Sequence, residues 1–427
     1  MRAGSSMRNV AIIASNRIPF CRSNTAYSDL SNLDMLSTVL QGLSDRCALS
    51  GKLIDEVVAG AVISHAKDFN LAREAVLSTD LSPMTPGITL QQACGTSLQA
   101  AFGIAAKIAT GQIECGIAAG SDTASDAPVV FSRSFAQRLV RASSAKTMQQ
   151  RLAAFRGIRL RELAPVAPAI LETRTGLSMG QHCELMAQEW GIGRAEQDEL
   201  ALQSHHKAQS AYERGFFDTL VQPCEGVLRD NNLRSNLTPD QLAKLKPAFD
   251  KGGPGTLTAG NSTALTDGAA AVLLASEDWA AANGLPVLAR LTDFQTSAVD
   301  YVGGEGLLIA PVIAVGKLLK RTSIALQDFS HYEIHEAFAA QVLVTLKAWA
   351  SEDYCRDRIG LDTALGEIDR DKLNQVGSSL AVGHPFAATG ARVLGTLAQQ
   401  LAEAETGRGL ISVCTAAGMG LAAIIER

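Results

Sequence analysis

The sequence predicts an α/β fold made of two similar halves with a different region between them. Strand-like runs alternate with helix-like segments across short links. The same order of elements recurs in the last third of the chain. Both patterns are organised around residues 87–111, where a strand, a sharp turn and a helix follow one another.

Residues 9–14 form an apolar, β-branched run and predict the first strand, which is followed by the turn Arg17-Ile18-Pro19-Phe20. Helical spacing covers 30–43, and residues 49–55 lead into a second strand at 57–63. A helix is expected at 70–77. Ile88, Thr89 and Leu90 then run through Gln91, Gln92 and Ala93 to Cys94, and the segment after Gly95-Thr96-Ser97 carries no charge before Lys107. A helix so apolar on every face is buried, with Thr96 or Ser97 capping its start and Gly111 ending it. Another strand, 115–119, ends in Gly120-Ser121-Asp122.

From residue 287 the order returns. A strand at 287–291 and a helix at 311–319 are followed by 324–328, which precede strand-like 330–334 much as 53–55 precede Val57. Residues 374–380 lead to Gly383-His384-Pro385 and an Ala/Gly-rich helix at 388–401, the counterpart of the strand, Cys94 and its helix. Residues 409–414 match 115–120, and 418–425 close the sheet. Two such halves place the turns of Cys94 and His384 on related ends of two packed sheets, with an active site between them.

The region 125–250 has weaker periodicity and prolines at 165, 168, 239 and 247. Between 131 and 161 it carries Arg133, Arg138, Arg141, Lys146, Arg151, Arg156, Arg159 and Arg161 without an acid, interleaved with Phe135, Leu139, Met148, Leu152, Phe155 and Ile158. That pattern fits a solvated helical face, or a surface for a phosphate-bearing ligand, a membrane or a partner.

At 427 residues the chain exceeds one ordinary core, and 47% hydrophobic content suffices to bury a large one. A net charge of -5 with 5% aromatics gives no sign of a nucleic-acid partner. Eight cysteines without a C-x-x-C pair argue against a zinc site or a disulfide framework and for a reducing compartment. Residues 1–10 show no apolar leader and no run of 18 apolar residues occurs, so a soluble, cytoplasmic protein is expected.

Four places carry chemistry: Cys94, His335-Glu336-Ala337-Phe338-Ala339, Gly383-His384-Pro385, and Cys414-Thr415-Ala416-Ala417-Gly418-Met419-Gly420. At the mouth of a buried helix, unpaired N–H groups and the helix dipole favour an anion, so Cys94 is expected to ionise more readily than a free thiol of pKa about 8.5. Cys94 alone reads equally well as a buried structural cysteine. Two histidines and a second cysteine on equivalent edges of a duplicated unit favour nucleophilic catalysis.

These residues resemble the thiolase family over nearly the whole chain. The likeness is carried by Gln91-Gln92-Ala93-Cys94-Gly95-Thr96-Ser97, Thr258-Ala259-Gly260-Asn261-Ser262, His335-Glu336-Ala337-Phe338, Gly383-His384-Pro385-Phe386 and Cys414-Thr415-Ala416-Ala417-Gly418, with the 243–251 stretch. Histidine at 335, where most of the family has asparagine, together with the basic insertion and the 163–168 stretch, is similar to the β-subunit branch of fatty-acid oxidation complexes.

The resemblance implies two duplicated βαβαβαββ halves in an α-β-α-β-α layering with a substrate-side insertion, the halves being 1–283 (including 125–250) and 284–427. It implies cleavage of 3-ketoacyl-CoA by CoA through an acyl-cysteine, with Cys94 as nucleophile, His384 as its base and Cys414 as second acid/base. His335 with His384 would hold the enolate oxygen, and the backbone N–H groups of Cys94 and Ala416 the thioester oxygen. Met179, Thr263 and Phe338 would line the CoA groove. CoA and acyl-CoA enter as substrates, with no permanent cofactor and no metal. A homodimer or dimer of dimers is implied, as is docking to a hydratase/dehydrogenase α-subunit, and the charge pattern of 131–161 adds weak membrane contact. Alanines replace family glycines at 387, 416 and 417, so the oxyanion hole requires ordinary dihedrals there. Competing readings are a biosynthetic acetyl-CoA acetyltransferase, a decarboxylating ketoacyl synthase, for which Cys414 would be superfluous, and a non-catalytic lipid carrier, which would lack one of the catalytic side chains.

Overall fold

The computed structural model describes residues 7–166 and 168–427. The expectation about a leader in residues 1–6, and Ala167 in the 163–168 stretch, lie outside them. Nine strands form one hydrogen-bonded path: β1 (Val10–Arg17), β2 (Glu56–Gly60), β3 (Gly87–Thr89), β4 (Cys115–Asp122), β5 (Thr266–Ser276), β6 (Ala289–Ala298), β7 (His331–Ile334), β8 (Arg408–Thr415) and β9 (Met419–Glu426). Their order is β7-β8-β9-β6-β1-β5-β4-β2-β3, and the two-residue strand Cys21–Arg22 pairs with β5. The first half contributes β1-β5-β4-β2-β3 and the second β6-β9-β8-β7, so each strand order repeats the other. The halves join edge to edge only where Ala11 pairs with Arg290 and Ile12 with Ala289.

Layering follows from which face each strand residue presents. Ile12, Val58, Ala118, Val272 and Leu274 of the first half and Ile411, Val413, Leu421 and Ala423 of the second bury against two central helices, α3 (Thr96–Ala109) and α8 (Thr389–Ala404). Alternate residues turn outward. Ile13, Ile117, Ala271 and Leu273 pack on α1 (Asn32–Cys47) and α2 (Leu71–Leu77), while Leu410, Ala422 and Ile424 pack on α6 (Ala310–Thr322) and α7 (Ala339–Ala350). This is a five-layer α-β-α-β-α sandwich. Because β4 and β5 are covered on both sides, they are buried along their whole length and lack polar alternation.

The two halves close tightly because of two glycines. A Cβ on Gly390 would lie 2.4 Å from the Leu98 nitrogen, and one on Gly120 would lie 2.1 Å from the Ala387 oxygen. Against α7 pack α4 (Met179–Glu189) and α5 (Arg194–Glu213), both in the intervening region.

Three expectations change. Gly95, not Thr96 or Ser97, stands at the start of α3, and no side chain caps it. Thr96 Oγ1 donates back to Ala93 O at 2.7 Å and closes the turn, and Ser97 Oγ accepts the Ala391 N–H at 2.8 Å and ties it to α8. The helix is not covered all round, since Gly103 and Ala106 face out. In the second half, 374–380 form no strand beyond the single pairing of Leu373 with Tyr332. Asn374 adopts φ 44, and its side-chain amide makes the two ladder bonds to Ile334 that a continuing strand would make.

The basic stretch folds into two helices, Arg133–Ser144 and Met148–Ala153, which contain no buried residue. Val140, Met148 and Leu152 are exposed among the charges. Arg138 is not available to a partner: it pairs with Glu162 at 3.0 Å and donates to the carbonyls of Ala154 and Arg156. Among the described residues no helix is long and apolar enough to cross a membrane.

Candidate active site

The site lies where the inner ends of α3 and α8 meet the ends of β7 and β8. Ala93 takes φ 45, which swings the chain so that Cys94 arrives at the mouth of α3 with only 6% of its surface exposed. Gly383, at φ 103 and packed against Thr266, turns the chain so that His384 faces it. His384 Nε2 lies 3.1 Å from Cys94 Sγ, and Nδ1 lies 2.6 Å from Thr389 Oγ1. His335, just beyond β7, stacks obliquely on His384 with ring centres 4.2 Å apart. Its Nδ1 is 2.7 Å from Ser379 Oγ, which also receives Arg392 Nη2 at 2.6 Å, while its Nε2 is buried without a partner. One donor atom each of Cys94, His335 and His384 falls within a mutual 4.8 Å, the set that could hold a soft metal ion.

Cys414, near the end of β8 opposite Gly420, is 1% exposed and close enough to feel the charge of Cys94. The backbone N–H groups of Ala416 and of Cys94 itself face the Cys94 sulfur and favour its anion. The predicted cysteines and histidines and the predicted N–H pair therefore converge.

The expected easy ionisation of Cys94 does not hold. Burial pushes its thiol up to about 12, the Asp122 charge adds to this, and the two N–H groups pull the other way without prevailing. Removing an ion from water outweighs a helix terminus when the site is closed. Burial, then Arg392, pushes His384 down to about 3. His335 is held well below the usual imidazole range by burial, His384 and Arg392, and burial holds Cys414 well above the usual thiol range. The resting site is a neutral thiol facing a neutral imidazole.

The alanine substitutions divide. Ala387 and Ala416 keep negative φ, and the Ala387 N–H donates to Asp122 at 2.6 Å. Ala417 does not meet the requirement for ordinary dihedrals: it takes φ 61, and its N–H is clamped by Glu172 at 3.0 Å. The turn survives with an alanine in the left-handed region.

Thr263 donates both its N–H and its hydroxyl to Ala337 O, so that hydroxyl is already engaged. Phe338 bridges to Ser262 in the neighbouring segment, and Met179, the first residue of α4, packs on the same cluster as Phe338 and Cys414. Several residues around the site escaped the sequence reading. Asp122 binds the N–H groups of Val62 and Ile63 as well as that of Ala387, joining the two halves beside Cys94. Glu336 accepts from Ser204, Asn374 and Leu380 and so fixes the loop after His335. An arginine inside the apolar helix 388–401, and an acid ending a buried strand, were the signals available, since each requires a partner.

Comparison with known proteins agrees with this geometry. Residues 10–278 match the family description "Thiolase, N-terminal domain" and 285–427 match "Thiolase, C-terminal domain". A 3-ketoacyl-CoA thiolase of Yersinia pestis is 42% identical over 423 residues, covering 98% of this chain and 96% of that relative. Among solved structures, an acetyl-CoA acetyltransferase of Bacillus anthracis superposes with TM-score 0.81 at 30% identity, covering 99% of this chain and 100% of that one. A human mitochondrial 3-ketoacyl-CoA thiolase gives 0.81 at 26%, with coverage of 99% and 100%. A thiolase of Ascaris suum in complex with coenzyme A gives 0.80 at 25%, with coverage of 98% and 100%.

Proposed function

This chain belongs to the thiolase family and is an acyltransferase, and on that premise we propose that it cleaves 3-ketoacyl-CoA with coenzyme A to acetyl-CoA and a shortened acyl-CoA. The observation that carries this reading is the buried 3.1 Å contact of Cys94 Sγ with His384 Nε2, beside the unpartnered Nε2 of His335. Cys94 gives its proton to His384 as sulfur attacks the ketone carbon, so charge develops only when substrate is present. The Cα–Cβ bond then breaks. Its electrons pass to the acetyl-CoA enolate, whose oxygen is held by protonated His384 and by His335, and Cys414 delivers the proton to Cα. In the second half-reaction Cys414 takes the proton of the incoming CoA thiol, which attacks the acyl-Cys94 thioester; the acyl–sulfur bond to Cys94 breaks and Cys94 recovers its proton from His384. The N–H groups of Cys94 and Ala416 hold that oxyanion.

The same reading makes coenzyme A a substrate in a groove passing Met179, Thr263 and Phe338, with no resident cofactor. It places the enzyme in cytoplasmic fatty-acid β-oxidation, as a homodimer or dimer of dimers that docks a hydratase/dehydrogenase α-subunit. The halves 1–283 and 284–427 act as the two domains. The exposed insertion would rest weakly on an anionic membrane, each free charge contributing about 1 kcal/mol; reversing Arg141 and Arg159, with Arg138 left in place, should lower salt-sensitive co-sedimentation with anionic vesicles.

The likeness to an acetyl-CoA acetyltransferase favours a second reading, condensation of two acetyl-CoA. CoA-dependent cleavage of acetoacetyl-CoA measured beside a long-chain 3-ketoacyl-CoA separates the two. Preference for the long chain supports the degradative reading, and cleavage of acetoacetyl-CoA alone supports the second.

A further inference from the structure

His335 and His384 are both buried imidazoles, stacked on one another, yet the reading above asks opposite things of them. His384 must offer a bare nitrogen to a thiol. His335 must offer an N–H to an oxygen. Neutral imidazole has one proton to place, and which nitrogen carries it is set by the partner of the other nitrogen.

The partners differ in what they can do. Thr389 Oγ1 lies 3.0 Å from Pro385 O, one turn back along the chain, and 2.6 Å from His384 Nδ1. A carbonyl only accepts, so the hydroxyl proton goes to Pro385, and the hydroxyl oxygen accepts from Nδ1–H. Nε2 then has a lone pair, 3.1 Å from Cys94 Sγ. Around His335 the direction reverses. Arg392 only donates, and its Nη2 lies 2.6 Å from Ser379 Oγ. The Ser379 oxygen accepts there, and among the described residues its own proton has one acceptor within reach, His335 Nδ1 at 2.7 Å. The ring proton is left on Nε2, the buried atom that has no partner among the described residues.

We propose that the two histidines are locked in opposite tautomers, His384 by the Thr389 hydroxyl and His335 by the Ser379 hydroxyl under Arg392, so that one presents a base to Cys94 and the other an N–H to the substrate oxygen. Thr389 and Ser379 are positioning residues; neither touches the reacting atoms. The N–H of His335, unpartnered among the described residues, is free to hold the enolate oxygen of the proposed reaction, and Arg392, held 3.7 Å from buried Glu333, keeps Ser379 from rotating away. The inference rests on the proposed thiolytic reading for its consequences and not for its geometry.

The test is direct. In 15N-histidine NMR of the wild-type protein, with His335 and His384 assigned by single His→Gln variants, His384 should carry its proton on Nδ1 and His335 on Nε2. The same tautomer on both, or an averaged mixture on either, overturns the proposal. Two variants add a kinetic reading that a purely structural role would not divide. Thr389→Val should slow alkylation of Cys94 by about 10- to 100-fold, with recovery in Thr389→Ser. Ser379→Ala should leave that alkylation unchanged and slow deuterium exchange at Cα of acetyl-CoA by a similar factor, with recovery in Ser379→Thr. Equal losses of both reactions in both variants would also overturn it. Opposite tautomers in a protein that cleaves no 3-ketoacyl-CoA would leave the proposal standing and remove the functional reading.

Discussion

The two halves share a strand order and place a turn at the same point of it, yet the turns carry different chemistry. In the first half β3 leads directly through Ala93 to Cys94 and α3. In the second, the corresponding strand is replaced by Asn374 and a short helical turn, Ser379–Val382, before His384 and α8. The first half supplies one reactive group, the thiol, and the second supplies both imidazoles and the other thiol. Duplication therefore gave a frame in which the nucleophile and its base stand on different halves. Cys94 meets its base only because Gly120 and Gly390 let the halves close to contact, and the same closure removes the water that would otherwise ionise it.

The sharpest way to break this division of labour is to change the first half's thiol. Cys94→Ser should lower turnover by about 10⁴-fold or more, because the hydroxyl has neither the acidity nor the nucleophilicity of a thiol. Intact-mass analysis after mixing with 3-ketoacyl-CoA should show no adduct, and a stable acyl group at residue 94 formed at the wild-type rate would sink the assignment. The second thiol should behave differently. Cys414→Ala should still be acylated by an activated donor while exchange of the acetyl-CoA α-protons in deuterium oxide falls by about 10²–10⁴-fold; unchanged exchange would mean that another group moves that proton.

A milder probe asks whether closure really suppresses the charge. Only the thiolate is alkylated, and Cys94 is pushed up to about 12, so its thiolate fraction grows as pH rises. In His384→Gln, where no imidazole takes the proton, the iodoacetamide rate at Cys94 should climb by about tenfold per unit between pH 7 and 10. A plateau below pH 9 would mean that closure does not hold the thiol up. The smallest effect concerns the strained turn: Ala417→Gly relieves a left-handed alanine at φ 61 and should stabilise the protein by about 0.5–1 kcal/mol, read as a melting temperature about 1–2 °C higher. An unchanged or lower melting temperature would show that the turn carries no strain.

Much of this architecture was legible in the chain because hydrophobic period and repeat order are local signals. The strand ending at Asp122, the helices on either side, and the four reactive side chains could all be placed from pattern. What could not be read was competition between effects acting at one atom. The helix terminus at Cys94 was visible, but the burial that overrides it depends on α8 packing against α3 across nearly 300 residues, and no window of sequence contains that. Asn374 misled for a related reason: its side chain imitates a strand's bonds while its backbone leaves the sheet. Arg138 looked like one more surface charge until its acceptors, Glu162 and two carbonyls, were brought to it by the fold of the insertion.

The clamp of Glu172 on the Ala417 N–H has a thermal consequence. Glu172 follows two helices in which no residue is buried, so its part of the chain belongs to the loosest layer of the molecule, while Ala417 sits beside the second thiol. Warming frees segments with few buried contacts first. The insertion should therefore let go of the catalytic turn while the sandwich is still intact, and activity should fade on heating several degrees before the protein unfolds, returning on cooling for as long as the sheets have held.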